Sequence, residues 1–202
     1  MKALIHLTVI LAISSFIYVA YTQEQSQASF TTFTVEENPS NVLITLEGVS
    51  YFDMAFNALM KAESNYNQFD KRGRPLLSSS GAVGIAQILP STAPEACALA
   101  GHAYSFKRLA YDTKYNKECG AAYFKKQLVD FNGNLSYAYA AYNAGPNATR
   151  AAIQKHGKNW LKHLPYETQN YVYKNNKEFN RQKTLAENQL KYITKPVTVA
   201  SN

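Results

Sequence analysis

The chain has 202 residues, 46% of them hydrophobic, and a formal net charge of +7. That is enough for one globular domain with a tail, and too polar for a bundle of membrane spans. The basic balance suits a polyanion (nucleic acid, an anionic membrane surface or an acidic wall polymer) or is simply a solvated surface. Lys and Arg are spread from Lys61 to Lys195 without a long run and none of the usual nucleic-acid motifs is visible, so no nucleic-acid partner is expected.

Lys2 is followed by an apolar run from Leu4 to Ala20, diluted by His6, Thr8, Ser14 and Ser15, which reads as an export segment over residues 1–22. Ala20-Tyr21-Thr22 meets the small-residue cleavage rule only loosely, so a retained N-terminal anchor stays open beside a cleaved signal. The expected location is the periplasm or cell envelope, with a membrane reached only through an uncleaved N-terminus. Residues 23–45, rich in Gln, Ser and Thr up to Pro39, read as a flexible spacer, and the short run Val42 to Leu46 at its junction with the domain is either a strand or a brace. A domain is expected over 46–180, followed by a C-terminal helix and tail over 181–202.

Ser50, with Asp53 three residues on, begins a capping-box-like helix start. Phe52, Phe56, Leu59 and Met60 form an apolar stripe at helical spacing, and Glu63 continues it where a hydrophobe is expected. Two readings follow. The carboxylate turns to solvent at the helix end, or it lies against apolar surface, where lost solvation keeps it protonated near neutrality as a general acid.

Beyond it, Gly81 and Gly84 stand three apart, as a close backbone approach to a ligand needs, or as an ordinary loop entering a helix. Helices are expected over Ser91 to Ala100, Thr113 to Phe131, Leu135 to Tyr142, Asn147 to His156 with Gly157 as the stop, Tyr166 to Phe179, and separately Arg181 to Tyr192. Alternating strand patterns are almost absent, so the fold is expected to be mainly α. Cys97 and Cys119 either form a disulfide, favoured by export and worth about 3 kcal/mol, or are two buried thiols. His6, His102, His156 and His163 form no ligand motif, so neither a metal nor another cofactor is expected.

Glu63-Ser64, Ser78, Gly81 to Ala93, Ala140-Ala141-Tyr142-Asn143-Ala144-Gly145-Pro146, and Leu164-Pro165-Tyr166-Glu167-Thr168 with Tyr171-Val172 occur in one order. Together they resemble the catalytic domain of the soluble-lytic-transglycosylase-type enzymes, over roughly residues 50–175. The resemblance implies a single lysozyme-like domain of short helices that cleaves the MurNAc-GlcNAc β-1,4 bond of peptidoglycan. It implies Glu63 as general acid and then base, leaving a 1,6-anhydro end. Ser78, Gln87, Tyr142 and Asn143 would bind the glycan strand, with Ser64, Gly84 and Glu167 supporting.

Tyr142 and Asn143 also read as core packing, and Glu167 as a helix-start carboxylate. Ala86 and Leu89 depart from the family, which usually has Met at both places, and an altered groove floor is expected. A second departure is an insert at Asp70-Lys71-Arg72-Gly73-Arg74-Pro75, either a basic loop bordering the cleft or an inert turn. The rival functions are a lysozyme-like hydrolase, and a wall-binding component of an envelope-spanning secretion, conjugation or phage-entry machine.

Overall fold

The computed structural model describes residues 45–46 and 49–193. The expected export segment and nearly all of the spacer lie outside these residues. No described helix is long and apolar enough to cross a membrane.

β1 (Thr45–Leu46) pairs antiparallel with β2 (Val49–Ser50) and leads directly into α1 (Tyr51–Ser64). Ser50 caps α1: its hydroxyl accepts from the Phe52 N–H at 3.1 Å, satisfying one of the donors every helix start leaves open. The Phe56, Leu59 and Met60 face of the helix is buried, each such side chain contributing about 1.5–3 kcal/mol.

After a long loop come α2 (Ala93–Leu99), α3 (Phe106–Tyr111), α4 (Thr113–Asp130), α5 (Leu135–Ala144), α6 (Pro146–His156), a 3-10 segment (Gly157–His163) and α7 (Tyr166–Ile193). α4 packs on α2 and α5, while α7 packs on α1 and α5. Phe124 of α4 sits at the centre of an aromatic cluster, stacked on Tyr139 at 5.2 Å and packed beside Phe52 and Phe56. Tyr139 buries its hydroxyl without loss because it donates to Ala55 O at 3.0 Å. Cys97 and Cys119 are joined as a disulfide, linking α2 to α4.

Three elements differ from expectation. α3 was not anticipated, although Ser105 caps its start and Asp112 both ends it and caps α4. The chain after Gly157 continues as a 3-10 segment, with Trp160 buried. The two C-terminal helices are one, running unbroken through the expected domain boundary at 181. Its inward stripe of Thr168, Tyr171, Val172, Asn175 and Phe179 gives way to the polar run Asn180-Arg181-Gln182-Lys183-Thr184, where the apolar period lapses although the helix continues. Past Phe179 the helix is held by Glu178, which accepts from Lys61 of α1 at 2.8 Å and from Arg181 Nε at 2.9 Å.

Candidate active site

α1 ends one turn beyond its buried stripe because Asn65 adopts a left-handed conformation (φ 50°) and returns its N–H to Lys61 O at 3.0 Å. Glu63 therefore stands in the last turn, directly after Leu59 and Met60, which are 0% and 3% exposed. Its Oε1 accepts from the Tyr171 hydroxyl of α7 at 2.6 Å. Burial raises the Glu63 pKa to about 7; the Tyr171 donation pulls it down, and the negative charge of Glu167 adds to the rise. Burial and the nearby Glu63 carboxyl push the Tyr171 phenol well above its ordinary range, so it remains a donor.

The Gly81–Gln87 loop is held from below. Gln68 accepts from Ile85 N at 2.9 Å and donates to Leu109 O and Ala110 O. Asn116 accepts from Ala86 N at 3.0 Å and donates to Val83 O and Leu109 O. Gly84 (φ 75°) rests directly on these two amides, and a Cβ there would overlap both. Ser64 donates to Ile85 O at 2.7 Å, fastening the end of α1 to the loop. From above, Tyr142 donates to Ala86 O at 2.8 Å. Its phenol is pushed well above the ordinary range by burial and then by the Glu63 charge, so it too stays protonated.

α5 breaks at Gly145 (φ 89°) before Pro146, leaving Tyr142 and Asn143 at its last turn. Asn143 Oδ1 accepts from Thr168 Oγ1 at 2.7 Å. Glu167 lies in the first turn of α7, where a carboxylate interacts well with the helix dipole.

These elements enclose a groove of about 570 Å³ whose walls include Glu63, Ser78, Gln87, Tyr142, Asn143 and Glu167. Residues far apart in the chain thus meet at one surface. Ser78 is fixed at the rim, its hydroxyl accepting from Ala82 N at 2.9 Å. Ser64 and Gly84 lie beneath the groove rather than in its wall, and support the loop.

Ala86 does not form the groove floor. It is 0% exposed and faces the helical Gly120, where a Cβ would collide with it, so a larger side chain at 86 has no room. Leu89, the other departure, does line the groove. The insert folds on itself: Asp70 Oδ1 accepts from Arg72 N and Arg74 N, and its Oδ2 from Arg74 Nε at 2.8 Å. None of residues 70–75 lines the groove, as a self-contained turn would predict.

Four residues were not assigned a site role from sequence: Tyr171, Thr168, Gln68 and Asn116. Tyr171 and Thr168 stood inside a quoted motif, and their inward spacing on α7 was the available signal. Gln68 and Asn116 carried none, because their partners are loop carbonyls and amides remote in sequence. Among the described residues no group of three or more His, Cys, Asp or Glu is arranged to hold a metal.

A helical domain with one desolvated acid in the wall of a groove of mixed polar and apolar lining has the build of a lysozyme-like protein. Residues 52–164 match the Transglycosylase SLT domain, and the chain belongs to that family. The fold is similar to that of an inactive mutant of lytic transglycosylase Slt from Pseudomonas aeruginosa, with 29% identity and a TM-score of 0.56. It is also similar in fold to the 70 kDa soluble lytic transglycosylase of Escherichia coli, with 24% identity and a TM-score of 0.58. Each match covers 66% of this chain but 22% of the solved one, so the chain spans about a fifth of the length of those enzymes.

Proposed function

We propose that this protein is a peptidoglycan lytic transglycosylase of the cell envelope in which Glu63 is the single acid–base catalyst. The observation that carries the reading is the Glu63 carboxyl itself: in the groove wall, held by one phenol, with its pKa raised to about 7. A carboxyl in that state is about half protonated at neutral pH and gives up its proton readily, as a general acid must.

In the proposed reaction Glu63 donates its proton to the oxygen bridging N-acetylmuramic acid and N-acetylglucosamine as the bond from that oxygen to the muramic C1 breaks. The carboxylate so formed takes the proton of the muramic C6 hydroxyl, whose oxygen closes on C1. One bond is broken and one formed, no water is consumed, and Glu63 ends protonated as it began. Tyr171, donating to Glu63, stabilises the carboxylate between the two transfers. Family membership, and a basic surface suited to an anionic wall polymer, support the substrate class.

One observation favours a second reading. Glu167 also lines the groove and is near enough to raise the Glu63 pKa. A second carboxylate is what a hydrolase uses to activate water or trap the sugar. Mass spectrometry of muropeptides released from purified sacculi separates the two: the lytic reading expects 1,6-anhydro ends, and reducing ends alone overturn it. Glu63→Gln is expected to release neither; native release by that variant overturns the role of Glu63.

A further inference from the structure

The outer face of α7 carries two tyrosines that packing does not explain. Pro165 and Glu167 line the groove, and Tyr166 between them turns outward, 76% exposed. Tyr173 is 65% exposed. Neither ring belongs to the core or to the groove wall. Exposed helix positions are ordinarily filled by stronger helix formers such as Lys, Glu and Gln.

Tyr173 stands seven residues beyond Tyr166 in α7. In an α-helix that is two turns and a rise of about 10 Å, so the two phenols share one face. A β-1,4-linked strand of pyranose rings repeats over about that length, because each ring is turned over relative to the last and every second ring presents the same face. Such rings carry their polar groups around the edge and axial C–H bonds on the faces, an apolar surface that a flat phenol covers. Lys174 and Lys177, exposed beside and beyond Tyr173, offer cations to the carboxylates of stem peptides. Among the described residues of α7 between Tyr166 and Phe179 no aliphatic side chain is exposed, so the strip lacks the apolar core around which a protein partner closes. Resting on the peptidoglycan reading above, we propose that Tyr166 and Tyr173 form a stacking strip on α7 that carries the glycan strand out of the groove, the two rings one disaccharide apart.

The test measures kcat and KM on long purified glycan strands and on a tetrasaccharide too short to reach Tyr173. Contacts outside the groove hold substrate and transition state alike, so they act on KM and leave kcat unchanged. Tyr173→Ala is expected to raise KM on the long strands about threefold to tenfold, the worth of one aromatic contact, with both constants on the tetrasaccharide unchanged. Tyr173→Trp keeps a flat face and is expected to retain the native KM; Tyr173→Leu keeps apolar area without the flat face and is expected to behave as Tyr173→Ala does.

A merely structural role for Tyr173 would lower kcat on both substrates and the urea midpoint with it, which overturns the strip. A native KM on long strands in Tyr173→Ala and in the double variant Tyr166→Ala/Tyr173→Ala overturns it too, while the activity stands; that is also the result if the tyrosines serve a protein partner. If the wild type cleaves neither substrate, the activity reading falls and the strip with it.

Discussion

The amide pair Gln68–Asn116 and the acid–phenol pair Glu63–Tyr171 are both taken out of water, yet they are satisfied to different degrees. Each amide uses its oxygen once and its nitrogen twice, on backbone groups of the Val83–Ala86 loop and of α3. Glu63 has one hydrogen bond, and its carboxylate form is left short of solvation. A neutral group with both donors used and its oxygen paired is a frame; an ionisable group with too few partners is a reagent.

The largest expected effect of breaking this contrast is kinetic. Glu63→Gln removes the proton but not the shape, and cleavage of sacculi is expected to slow by about 10²–10⁴, the usual worth of a general acid. Asn116→Ala attacks the frame instead. It strands Ala86 N beneath the groove, while Val83 O keeps the Ile88 N–H, and a loss of about 1–3 kcal/mol is expected in urea unfolding, with reduced activity as the loop loosens.

The reagent should cost stability where the frame supplies it. Because the folded pKa of Glu63 is raised from 4.5 to about 7, the unfolded chain ionises first as pH climbs, and native stability drops across that window. Glu63→Gln is therefore expected to match the wild type at pH 4. At pH 8 it should exceed it by about 1–3 kcal/mol in denaturant titrations, the range being discounted for the side of the carboxyl that opens to the groove.

The smallest effect tunes the acid without removing it. Tyr171→Phe deletes the hydrogen bond that favours the carboxylate, so the alkaline limb of activity is expected to move to higher pH. A bond of about 1 kcal/mol corresponds to somewhat under one pH unit.

What could be read from the chain follows the same division. Glu63 was visible because a carboxylate interrupting the Phe52–Phe56–Leu59–Met60 stripe is a local anomaly, and local periodicity is what a sequence displays. The break at Gly145-Pro146 was visible for the same reason. Gln68 and Asn116 were not, since an amide in a loop or a polar helix looks ordinary until its backbone partners are brought up from distant segments. The unbroken α7 was missed because the polar run Asn180 to Thr184 carries no apolar stripe across the join, and the Ala86–Gly120 contact because close approach between two small residues leaves no pattern in either segment.

The most direct measurement is a ¹³C NMR titration of the side-chain carboxyls, with the Glu63 signal assigned by its loss in Glu63→Gln. A midpoint of about 7 is expected. A midpoint at the ordinary 4.5 would mean that the carboxyl is fully solvated, and would contradict the account of Glu63 as a proton-holding acid in the groove wall.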